Sequence, residues 1–124
     1  MDEKSFAAGI ERAGKSYNFE TRTVQNSFYG VVMAGSGMSV YCTWKKNVAI
    51  PTVDEAAVQA NFVKMRHDDG KMAFCLFYPK GLVISERVVE LAKSDDVKLF
   101  PVGAFSAADD FAAFFKAMSR SGGK

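Results

Sequence analysis

Histidine is nearly absent from this 124-residue chain, which has only His67. Ser-His-Asp and Cys-His mechanisms need an imidazole in a pocket beside a nucleophile. His67 instead stands next to Asp68 and Asp69 in a stretch that reads as a solvated turn. Cysteine is almost as scarce: Cys42 and Cys75 belong to no CxxC motif and no Cys/His cluster, which excludes a zinc pattern and a disulfide framework. Both lie in apolar, strand-like segments and read as buried reduced thiols, an arrangement that suits a cytoplasmic protein. Long apolar runs are missing too. The longest, Met72 to Tyr78, has seven residues, against roughly 20 for a membrane helix. The opening Met1-Asp2-Glu3-Lys4 is not an export signal. These absences predict a soluble protein with no membrane partner. No sign of charge dominates, since sixteen Lys and Arg face fourteen Asp and Glu, which excludes a polybasic nucleic-acid binder. Gly35-Ser36-Gly37 lacks the remainder of a dinucleotide or Walker loop and reads as a hairpin turn.

What is present is a strong alternation of helical and strand patterns. Asp2 can cap a helix over residues 2–14 whose inner face carries Phe6, Ala7, Ile10 and Ala13. Three β-rich stretches follow, Tyr17 to Val24, Phe28 to Ala34 and Met38 to Lys45, with turns at Gln25-Asn26 and Gly35-Ser36-Gly37; they predict an antiparallel meander. Thr52 and Glu55 form a capping box for a second helix with Val58, Phe62 and Met65 inward, stopping near Asp68-Asp69-Gly70. Met72 to Tyr78 is apolar throughout, as expected of a parallel strand at the middle of a sheet. Ser85 caps a third helix with Val88, Leu91 and Ala92 inward. Val97 to Val102 is a short strand, placed at an edge by Pro101. Ser106 starts a last helix with Phe111, Phe114, Phe115 and Met118 on one face.

The expected fold is therefore α/β, of order α-β-β-β-α-β-α-β-α. It has a five-stranded mixed sheet, an N-terminal antiparallel meander joined to a parallel βαβ unit, with helices packed on it. Residues 1–118 form a single domain and 119–124 a flexible tail rich in Ser, Gly and Lys. The acidic pairs Asp54-Glu55, Asp95-Asp96 and Asp109-Asp110 are explained by helix first turns and a connecting turn. No Asp or Glu lies between Glu20 and Asp54, whereas Arg22, Lys45 and Lys46 do. The meander is thus a carboxylate-free, mildly basic stretch.

The order α-β-β-β-α-β resembles the core of restriction-endonuclease-like nucleases, and Phe77 to Val102 resembles the closing strand, helix and strand of their Mrr-like members. Those enzymes carry an acidic residue on the second core strand and Glu/Gln-x-Lys on the third, which hold a metal and orient a water. Here the third strand reads Cys42-Thr43-Trp44-Lys45-Lys46, a lysine without the carboxylates. The resemblance then implies a nuclease fold without its metal site. It would bind nucleic acid through Arg22, Lys45, Lys46, Lys64 and Arg66, with Tyr41 and Trp44 available for base stacking. Trp44 also reads, and more readily, as a core residue on the apolar face of its strand. Phe74 to Lys93 resembles part of the small STAS-like regulatory domains, in which a Ser or Asp opening the helix after a central strand is the contact or switch site. Ser85 takes that place, although the Asp-Ser-Ser/Thr-Gly-like turn is missing and the chain is one α/β unit short.

No nucleophile, base and orienting group converge in this pattern, so the sequence points to a non-enzymatic binding or regulatory module with no cofactor and no metal. Eleven Phe, one Trp and four Tyr suggest aromatic area beyond the needs of a core. Phe111, Phe114 and Phe115 are the candidate seam for a protein partner or a second copy of the chain. Nucleic-acid binding by the basic meander is the alternative.

Overall fold

The computed structural model describes residues 2–24, 30–35, 38–66, 71–103 and 107–122, with side chains described except at 24, 35, 38, 60–66, 71, 72, 107 and 118–122. The expected turns at Gln25-Asn26, Ser36-Gly37 and His67 to Gly70, and the Ser106 cap, lie outside these residues. The first helix, α1 (Glu3–Ser16), starts where the Asp2 carboxylate accepts from the Ser5 amide at 2.7 Å. Phe6, Ala7 and Ile10 are buried and Ala13 packs beside them. The helix runs two residues past the expected end. Its Gly14 carbonyl accepts from both Tyr17 and Phe19 amides, and Asn18 takes φ 64° in the left-handed region. Tyr17 to Phe19 therefore form the helix exit, and the first strand is the shorter β1 (Glu20–Val24).

Among the described residues, β1 is followed by β2 (Gly30–Gly35), β3 (Met38–Trp44), α2 (Ile50–Arg66), β4 (Lys71–Pro79), α3 (Glu86–Ser94), β5 (Val97–Val102) and α4 (Ala107–Gly122). The sheet order is β1-β2-β3-β4-β5, antiparallel from β1 to β3 and parallel from β3 to β5. The chain is thus the expected α/β fold with a five-stranded mixed sheet. β3, not β4, is the central strand; β4 lies next to the edge. Its unbroken apolar run reflects cover on both faces. Ala73, Cys75 and Phe77 enter one core with α1 and α4, while Phe74 and Leu76 enter a second core with α2 and α3. No helix among the described residues is long and apolar enough to cross a membrane.

Two helices depart from expectation in an instructive way. α2 begins at Ile50, with Pro51 in its first turn, where a missing N–H costs nothing. The Thr52 hydroxyl reaches back to accept from the Ala49 amide at 3.2 Å. Thr52 is thus inside the helix instead of capping it, and Asp54 and Glu55 fall beyond the first turn. The buried face is set by Val53 and Ala56; Val58, expected inward, is 69% exposed. At 3.6 residues per turn Val58 lies about 140° around the helix from Val53, which accounts for the miss. Phe62 and Met65 have no described side chains. α4 extends to Gly122, so Ser119 to Gly122, expected in the tail, are helical. The Ser85 cap agrees: its hydroxyl accepts from the Val88 amide at 3.3 Å.

α4 is pinned at its start by Asp110. One carboxylate oxygen accepts from Lys80 Nζ and the other from the Gly103 amide, each at 2.8 Å. The lysine is 51% exposed, so the ion pair adds little and the amide carries most of the effect. Asp110→Ala should lower stability by about 1–2 kcal/mol, with Asp110→Asn intermediate. Urea denaturation measures this; an alanine variant indistinguishable from the parent would show that the loop amide finds another acceptor.

Candidate functional site

In sheets with parallel strands, ligands are taken up outside the carboxyl ends of those strands. β3 ends at Trp44, and the Lys45 amide donates to the Phe77 carbonyl at 2.9 Å, carrying the β3–β4 ladder one residue further. This bond fixes the point where Lys45 and Lys46 leave the sheet. The amino end of α1 lies against the same place because Phe6, one turn into the helix, stacks on Trp44 with ring centroids 6.0 Å apart. Between the two is an open cavity of about 480 Å³ lined by Asp2, Glu3, Lys4, Trp44, Lys45 and Lys46.

Trp44 is 4% exposed, confirming it as a core residue, and its indole Nε1 is buried with no hydrogen-bond partner among the described residues. A buried unmet N–H costs about 1–3 kcal/mol, so its retention needs a reason. The Asp2 carboxyl is held below its usual range by the hydrogen bond from the Ser5 amide, which keeps it an anion tied to the helix start. Glu3, Lys4 and Lys46 are exposed and Lys45 is half-buried. The three lysines outnumber the two carboxylates, so the rim is weakly basic. The arrangement can hold an anionic group over an apolar floor made by the Trp44 ring, which Phe6 backs from within the core.

The structure redistributes the residues singled out from sequence. Trp44, Lys45 and Lys46 come together at the cavity. Arg22 does not join them: it is exposed on β1 in register with Val32, which pairs with Tyr41, on the α2 and α3 face. Trp44 belongs to the opposite face. Tyr41 is fully buried and stacks on Phe74 at 4.8 Å and 9°, so no base can reach it. Lys64 and Arg66 are in α2, with side chains outside the described residues. The Ser85 hydroxyl caps α3. Phe111, Phe114 and Phe115 are 3%, 3% and 0% exposed, which removes them as an interface. α4 covers both α1 and the sheet: Phe111 and Phe114 meet Phe77, while Phe115 meets Tyr17 and Phe19. A helix with two docking partners needs the wider apolar stripe.

The carboxylate-free meander also looks different when folded. α1 lies across it, bringing Asp2 and Glu3 beside Lys45 and Lys46 and placing Glu11 to accept from the Thr23 hydroxyl on β1. Lys4 and these carboxylates were missed as site residues because no local pattern in the sequence says where α1 docks. Among the described residues no three His, Cys, Asp or Glu converge as metal ligands would. Cys42 and Cys75 are register partners on β3 and β4, both buried and not joined by a disulfide. Burial pushes the Cys42 thiol well above its ordinary value, and the adjacent Cys75 adds to the shift. No protein-family model matches the chain, and a search of curated proteins returns no match, so both family resemblances rest on element order.

Proposed function

We propose that the protein is a small binding and regulatory module, not a catalyst, which takes an acidic segment of a protein partner in the cavity between α1 and the end of β3. The observation that carries this reading is the convergence of Lys4, Lys45 and Lys46 around Trp44, whose buried indole N–H has no partner among the described residues. Lysines supply the charge that draws an acidic side chain in and fixes its orientation, and the aromatic floor accepts the apolar part of the segment. The two thiols, free of a disulfide, support a cytoplasmic setting. Nucleic-acid binding, the other reading of the same lysines, has lost Tyr41 to the core and Arg22 to the far face.

Trp44 is the chain's single tryptophan, so its fluorescence reports on the cavity without a label. Titration with a short Glu/Asp-rich peptide should give a saturable change that weakens with salt. The change should drop at least about tenfold in affinity in a Lys45→Glu, Lys46→Glu variant, where two attractions become repulsions. A flat peptide titration rejects the proposal. Saturation by a single-stranded oligonucleotide with no response to the peptide would transfer the site to the nucleic-acid reading.

A further inference from the structure

The sheet has two outer strands, and they are built differently. β5 carries Lys98 and Pro101, two devices that stop an edge from recruiting another strand. β1 reads Glu20-Thr21-Arg22-Thr23-Val24, with no lysine and no proline, and among the described residues pairs with β2 alone. Glu20, Arg22 and Thr23 are exposed, and among the described residues no ion pair engages Glu20 or Arg22. Glu20 and Arg22, two apart on the strand, share the α2 and α3 face, with Thr21 between them on the other.

We infer that β1 is a self-complementary edge through which a second copy of this chain adds antiparallel, about a two-fold axis at Thr21. In that register Glu20 of each copy stands opposite Arg22 of the other, twice, on one face of the joined sheet. Opposite charges directly across an antiparallel pair stabilise it and like charges destabilise it. The charges therefore select the register: a shift that centres on Arg22 sets two arginines against each other. Because the paired residues share a face, the layers continue from one copy to the next, α2 and α3 on one side and α1 and α4 on the other. Five residues make a short edge, smaller than a standard interface, so the dimer is a weak one, with a dissociation constant of roughly 0.1 mM. The inference does not depend on the cavity at Trp44.

Sedimentation equilibrium of the full chain up to about 1 mM, ten times that constant, should show reversible dimerisation. Glu20→Arg and Arg22→Glu, each at an exposed position, should keep the fold by circular dichroism and each weaken association about tenfold or more. Two further samples test the register itself. The double variant E20R/R22E restores both attractions and should dimerise like the parent. An equimolar mixture of the two single variants should form mixed dimers, because the copy with two arginines faces the copy with two glutamates. A parent that stays monomeric to about 1 mM overturns the inference, and so do single variants that associate like the parent, or a double variant and mixture that fail to recover.

Discussion

Phe77→Ala should remove about 3–5 kcal/mol of folding stability, a large part of the roughly 5–15 kcal/mol that a domain of this size possesses. Phe77 is 1% exposed on β4, beside Trp44 of β3 and Phe100 of β5 in the strand registers. Its ring centroid lies 5.1 Å from Phe6 of α1, 5.3 Å from Phe100, and 6.1 and 5.0 Å from Phe111 and Phe114 of α4. One side chain thus joins α1, the parallel half of the sheet and α4. Removing it forfeits the transfer of a buried ring, leaves a cavity that four rings from three elements cannot all close, and loses edge-to-face contacts worth about 0.5–1.5 kcal/mol each. Phe77→Leu keeps most of the volume and should cost about 1.5 kcal/mol. Urea denaturation followed by Trp44 fluorescence tests both; an alanine cost under about 1.5 kcal/mol would mean that α1 and α4 settle freely into the space.

The same ring cluster shows what local sequence could and could not reveal. Asp2 and Ser85 were legible as caps because a cap is decided within four residues. β3 was legible as a strand because Val40, Cys42 and Trp44 alternate with their neighbours and enter one core. That alternation implies a single buried face, whereas Tyr41 and Thr43 on the other face are buried too. The apolar run of β4 correctly signalled two covered faces, yet it could not say how many strands lie beyond. The three meander strands all lie on one side of β4 and only β5 lies on the other, which puts the centre at β3 without changing any residue of β4. In α2 the apolar stripe through Val58 competed with the shorter one through Val53 and Ala56. Docking decided between them: Val53 and Ala56 pack into the core with Phe74 and Leu76 of β4 and Val88 and Ala92 of α3, while Val58 faces out.

The site was half legible for a related reason. Trp44, Lys45 and Lys46 are consecutive and could be read as a group, whereas Asp2, Glu3 and Lys4 stand some forty residues earlier and meet them only because Phe6 docks on Trp44 and Phe77. Charge distribution along the chain misled in the same way. A stretch without carboxylates is not a surface without carboxylates when an acidic helix lies across it, as Glu11 on Thr23 shows. The surplus of phenylalanine was likewise no sign of an interface, because α4 must satisfy both α1 and the sheet.

Gly30→Ala should destabilise the protein by about 3 kcal/mol although it adds a single methyl group to a strand, where glycine is ordinarily the weaker residue. Gly30 opens β2, opposite Thr43 and diagonal to Tyr41 on β3. A Cβ there would lie 2.6 Å from Tyr41 Cε1 and 2.7 Å from the Cys42 carbonyl oxygen. The first contact involves a ring that has nowhere to go, since Tyr41 is fully buried and stacked on Phe74 at 4.8 Å. The second involves backbone of the central strand, which can move only by disturbing its ladders with β2 and β4. Two remedies separate the causes. Shrinking the ring in a Gly30→Ala, Tyr41→Val double variant removes the first clash but leaves the carbonyl contact, so part of the loss should persist beyond the cost of Tyr41→Val alone. If the carbonyl contact is instead relieved by a small outward shift of β2, the double variant should be no less stable than Tyr41→Val, and Gly30→Ala alone should cost under about 1 kcal/mol. The distances favour the first outcome, because the carbonyl belongs to backbone held in the middle of the sheet and its contact remains when the ring is removed.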